Sequence, residues 1–124
     1  DKFHMFYVAD GKIRHAVSDQ INQGYQAEPQ RIDPNTVNTE APNIFQRLGT
    51  ENYVLMYDVY GARPNNMGFS ETRDFVTYTN IGRFNEGVMR GLNFARPKHG
   101  AVTYLTSEEL KAVANYWKVG SKLN

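Results

Sequence analysis

Eight consecutive residues, Tyr53 to Tyr60 (YVLMYDVY), set the strongest constraint on how this 124-residue chain can fold. β-Branched and aromatic residues dominate the run, and successive side chains of a strand point to opposite faces. Tyr53, Leu55, Tyr57 and Val59 share one face; Val54, Met56, Asp58 and Tyr60 share the other. Both faces are apolar apart from Asp58, which is the pattern of a central strand covered on two sides. The chain must therefore build a sheet and bring material against both of its faces. Its length suits one domain and leaves no room for two of ordinary size. Hydrophobic content of 40% is modest in aliphatic residues, but eight Tyr, seven Phe and one Trp add large buried area.

The remaining segments read as follows. Phe3 to Ala9 is an aromatic-rich strand ending at the Asp10-Gly11 turn. Ile13, Ala16, Val17 and Ile21 keep helical spacing up to Gly24, which predicts a helix over Ile13 to Gln23. Glu28 to Pro42, with Pro29, Pro34 and Pro42, is a long polar loop with a turn signature at Asp33-Pro34-Asn35. Asn43 to Leu48 predicts a short helix ending at Gly49, and Gly61 to Gly68 a loop. Phe75 to Thr79 alternates as a strand. Ile81, Phe84, Val88 and Leu92 then predict a helix, with Gly82, Gly87 and Gly91 on one side for close packing. Ala101 to Leu105 is a short apolar strand running into a helix. In that helix Thr106 and Ser107 start the capping, Glu108 and Glu109 complement the helix dipole, and Leu110, Val113, Ala114 and Trp117 form a core face. The expected fold class is α+β: a single domain over residues 1–124, with a mostly antiparallel sheet of about four strands and three or four helices packed on it.

Several function classes are excluded at this level. The absence of cysteine removes disulfides, thiolate-ligated zinc, iron–sulfur clusters and thiol nucleophiles. No apolar stretch approaches the ~20 residues of a membrane-spanning helix. There is no G-x-S-x-G, no Ser-x-x-Lys and no phosphate-loop or dinucleotide fingerprint. No two of His4, His15 and His99 have the spacing of a helical metal pair, and no carboxylate cluster adjoins any of them, so no metal site and no cofactor are expected. His4 reads as a strand residue, His15 as a surface residue on the first helix and His99 as an exposed loop residue. The abundance of Asn, Gln, Tyr and Thr with few Lys points to a secreted or periplasmic protein, with a cytoplasmic one not excluded.

Net charge is +1, but it is unevenly spread: Asp1 to Ala62 holds five basic and eight acidic residues, Arg63 to Asn124 nine and five. The most concentrated basic constellation is Arg83, Arg90, Arg96, Lys98 and His99, with Phe94 among them. Arg83 and Arg90 lie seven apart, which places them on one face of the predicted helix. Such a surface fits an acidic protein partner, or more weakly a nucleic-acid backbone. Tyr53, Tyr57, Tyr60 and Tyr78 on neighbouring strands could present an aromatic strip to a sugar or a protein. The closing helix, LTSEELKAVANYW, resembles that of small class I c-type cytochromes. The haem-attachment motif Cys-x-x-Cys-His is absent, so the likeness implies no haem.

Together these features favour a non-enzymatic binding or accessory protein, using Arg83, Arg90, Phe94, Arg96, Lys98 and His99 against an acidic protein surface. Two alternatives remain: a small metal-independent nuclease or toxin domain with His99, Arg90 and Arg96 as its acid–base and phosphate-stabilising groups, and a carbohydrate-binding module using exposed tyrosines.

Overall fold

A computed structural model describes residues 1–91 and 97–117 of the chain. The α+β expectation is not met: the described residues form two antiparallel sheets and one short helix. Strands β1 (Phe3–Ala9), β2 (Lys12–Ser18) and β3 (Gln26–Ala27) make a three-stranded sheet in that order. Strands β4 (Glu40–Gln46), β5 (Tyr53–Val59), β6 (Asn66–Thr72) and β7 (Thr79–Arg83) make a four-stranded meander, and helix α1 spans Ser107–Tyr116. β1 and β2 lie against β4.

Each departure from the predicted helices has a local cause. Asp10 and Gly11 both take positive φ, 52° and 65°, the two-residue hairpin turn that Asp-Gly favours. Ala9 therefore pairs with Lys12, and the chain continues as β2 in register with β1 instead of entering a helix at Ile13. The predicted helix at Asn43 to Leu48 is largely β4, because Gly49 (φ 74°) serves the turn into β5 and not a helix C-cap. Phe75 to Tyr78 is a turn, with β6 before it and β7 after it. The expected helix from Ile81 is replaced by β7 and a turn. Gly82 and Gly87 take φ of 120° and 105°, values no helix contains. Ala101 to Leu105 is not a strand of either sheet.

The expectation for β5 holds: Val54 to Val59 are all buried. Leu55, Tyr57 and Val59 pack with Ile13 and Ile32 on one side. Val54 and Met56 pack with Met67, Phe69 and Phe84 on the other. Each such buried side chain contributes about 1.5–3 kcal/mol of apolar transfer energy, so the core is centred on this strand.

Two non-repetitive segments complete the two layers. Residues 28–39 run beside β2, where Glu28, Ile32 and Thr39 donate backbone hydrogen bonds to the carbonyls of His15, Ile13 and Gly11. Buried Asp33 organises this stretch: it accepts from Arg31 at 2.8 and 2.7 Å, from Thr39 Oγ1 at 3.0 Å and from the Asn35 backbone at 3.1 Å. The C-terminal arm from Pro97 to Leu105 covers the other face. Gly100 fits against the methyl groups of Met56 and Met67, Val102 N–H donates to Asn43 Oδ1, and the Tyr104 hydroxyl donates to the Gln46 carbonyl.

Candidate functional site

Among the described residues, the structure does not carry the expected basic constellation on a helix. Arg83 lies on β7, not on a helix, and donates to Asn35 Oδ1 at 2.7 Å, with its other terminal nitrogen buried and without a hydrogen bond. Arg90 is exposed in the turn after β7, so the shared helical face with Arg83 does not exist. Phe94 and Arg96 lie outside the described residues. Lys98 and His99 are exposed on the arm. The tyrosine strip is not a surface either: Tyr57 is fully buried and shares a hydrogen bond with Ser70, while Tyr53, Tyr60 and Tyr78 are half-buried.

His99 instead meets two carboxylates. Glu40 and Asp58 are directly opposed across β4 and β5, which puts both side chains on one face of the sheet. The β4 backbone is irregular here, with a register shift between Glu40 and Asn43 and Ala41 at φ 51°. The arm brings His99 Nε2 to 3.2 Å from Glu40 Oε1 and 4.0 Å from Asp58 Oδ2. Asp58 is 0% exposed, and neither of its oxygens accepts a well-formed hydrogen bond. Burial pushes its carboxyl pKa up and Glu40 adds to that, while Lys98, His99 and a weak contact from the Val59 backbone N–H pull the other way. One ligand atom from each of Glu40, Asp58 and His99 falls within a 4.8 Å span, the only such three-residue group among the described residues. These three residues could hold a metal ion. Sequence spacing gave no hint of them, because a strand pair and a distant arm supply the contacts.

A second group of titratable side chains gathers at the three-stranded sheet, where His15 is buried and His4 is exposed. His15, expected on the surface, is 1% exposed. Its Nε2 lies 2.9 Å from His4 Nδ1 and its Nδ1 lies 3.4 Å from Glu28 Oε2. The Phe75 ring stacks on His4 at 4.1 Å, and the Phe6 ring stacks on His15 at 4.8 Å. Burial first, then His15, lowers the His4 pKa, with Glu28 opposing. His4 borders an open groove of about 630 Å³ whose apolar walls include Phe6, Ile44, Tyr53, Phe75 and Tyr104. His4 and His15 are thus hydrogen-bonded to each other, while Glu28 stands near His15 Nδ1 without a hydrogen bond to it. The Asp-Gly hairpin was the signal for this pair. It sets Phe6 opposite His15 and His4 opposite Val17, which makes His4 and His15 diagonal neighbours on one face.

Helix α1 is the third feature. Thr106 caps it: its hydroxyl accepts from Glu109 N–H at 3.2 Å, while the Glu109 carboxylate accepts from Thr106 N–H at 2.7 Å. Those hydrogen bonds hold the Glu109 pKa below its usual range. The capping prediction is met, but the core face is not. Leu110 and Val113 are 44% and 46% exposed, Trp117 is 69% exposed, and no residue of α1 is buried. Tyr116 and Trp117 touch edge to face with ring centroids 5.1 Å apart. Among the described residues no helix is long and apolar enough to cross a membrane.

Comparison with protein-family models, with curated proteins and with solved structures yields no match for this chain.

Proposed function

We propose that this chain is a non-enzymatic binding protein that docks on another protein by laying the apolar face of α1 into an apolar groove of that partner. The observation behind this reading is that α1 is capped within itself yet buries none of its residues. Leu110, Val113 and Trp117 recur at the i, i+3, i+7 spacing of helix-in-groove recognition. An open face of this kind, ending in Tyr116 and Trp117, has the composition of an interface hot spot. Arg90 and Lys98 are exposed and would suit an acidic rim on the partner. A secreted or periplasmic setting belongs with this reading, on the Asn-, Gln-, Tyr- and Thr-rich, Lys-poor composition.

The other readings have less behind them. A nuclease needs His99 as an acid–base group with Arg90 and Arg96, whereas His99 faces Glu40 and Arg96 lies outside the described residues. A sugar-binding tyrosine strip loses Tyr57 to the core.

The test is site-specific photo-crosslinking in the source organism, with the probe at Val113 and a control at Lys111. Crosslinks from Val113 to one heterologous protein, lost in a Leu110→Glu variant, are expected. Crosslinks only between copies of this chain, or none above the Lys111 control, would remove the proposal.

A further inference from the structure

We propose that Glu40, Asp58 and His99 bind a divalent transition-metal ion of the zinc type, which ties the C-terminal arm to the four-stranded sheet. The proposal does not depend on α1 docking, since it concerns the base of the arm and not the helix at its end.

The buried carboxylate carries the argument. Asp58 is fully covered, on a face it shares with Met56 and opposite Met67 on β6. An ionised carboxylate in such a place is costly unless paired or coordinated. Directly across β4 stands a second carboxylate, Glu40, and like charges at one cross-strand position repel. Lys98 and His99 are the basic side chains the chain itself brings near, yet neither gives Asp58 a hydrogen bond. A divalent ion would meet both needs at once, compensating two negative charges and coordinating oxygens whose one donor is a weak contact from the Val59 backbone N–H.

The donor set and its spacing suit that ion. Zinc takes imidazole nitrogen and carboxylate oxygen at about 2.0–2.2 Å, so neighbouring donor atoms in a tetrahedral site lie about 3.3–3.5 Å apart. His99 Nε2 and Glu40 Oε1 already stand 3.2 Å apart. The separation from Asp58 Oδ2 is longer, 4.0 Å, so binding requires His99, whose side chain is 61% exposed, to move toward Asp58. Two oxygens and one imidazole, with no thiolate, favour zinc or a neighbouring first-row ion over soft metals. Three protein ligands leave a fourth position for water.

The test uses the whole chain without a histidine tag, stripped with EDTA and titrated with ZnCl2 by calorimetry near neutral pH. One equivalent should bind, and zinc should raise the melting temperature in an EDTA-reversible way. His99→Ala and Asp58→Asn should each weaken binding by at least about ten-fold, and His99→Ala should abolish the melting shift. His99 is exposed, so its removal leaves the core intact. His4→Ala is the control against zinc at the other histidine pair and should bind as the parent does. No saturable binding by the parent, or binding that survives His99→Ala and is lost in His4→Ala, overturns the proposal.

Discussion

His4 and His15 share one plane: their rings lie within 3° of parallel with centroids 5.1 Å apart, and Nδ1 of His4 is 2.9 Å from Nε2 of His15. That combination is an in-plane nitrogen-to-nitrogen hydrogen bond, not a face-to-face stack. One nitrogen must donate and the other accept, so the bond breaks when both rings are protonated.

The pH dependence follows in sign from the His4 shift. Its folded pKa lies below the ordinary 6.5, through burial first and then His15. As pH falls below about 6.5, the unfolded chain takes up the proton before the folded one, and protonation pulls toward unfolding. The stability that neutral His4 protects is fully present above that value and declines through the folded pKa. Urea midpoints should drop between roughly pH 7 and pH 5, and His4→Gln should flatten that slope. Parallel slopes in parent and variant would show that His4 does not titrate as this geometry requires.

Asp33 predicts a loss at lower pH. Burial pushes its carboxyl up, but the Arg31 fork and the hydrogen bonds from Asn35 and Thr39 outweigh that and hold the pKa below 3.8. Its contribution is present above the unfolded value and lost as pH falls through the lower folded one. Asp33→Asn removes the charge while keeping the shape, and leaves Arg31 without its fork. The expected cost is about 2 kcal/mol at neutral pH, measured by urea unfolding, with a shallower acid limb below about pH 4. A variant as stable as the parent would mean that Asp33 does not hold residues 28–39 in place.

Gly68 faces the Tyr57 ring across β5 and β6, and an added Cβ would stand 2.5 Å from Tyr57 Cε2 and 2.9 Å from Cζ. The ring is buried and its hydroxyl bonds Ser70, so it has little space to retreat. Gly68→Ala should cost about 2–3 kcal/mol. Gly100→Ala meets only ordinary contacts at 3.4 and 3.6 Å with Met56 and Met67, and should stay within about 0.5 kcal/mol. Denaturant unfolding of the two variants separates them, and equal losses would refute the Gly68–Tyr57 contact.

What the sequence could and could not convey divides along the range of the forces involved. β5 was legible because apolar residues on both faces of one strand leave a central position as the only economical burial. The α1 start was legible because a capping box is written within four residues. The segments from Ile13 and Ile81 misled, since three- and four-residue apolar spacing also arises in short strands joined by turns. There the backbone needs of Asp10, Gly11, Gly82 and Gly87 overrode the pattern. The Glu40, Asp58 and His99 grouping was out of reach, because residues 18 and 41 positions apart meet only through a strand pair and a returning arm. The exposure of Trp117 was missed for the opposite reason: an amphipathic stripe shows that a face wants cover, not that its own chain supplies it.

The central claim is that the apolar face of α1 stands open in the isolated chain, and the single tryptophan measures it directly. Trp117 is 69% exposed, so its fluorescence in the monomer should resemble that of free tryptophan in water and be quenched freely by acrylamide. A shift to the blue and protection from quencher are expected only when a partner is added. Blue-shifted, protected emission from the monomer alone would place α1 against its own core and contradict the account.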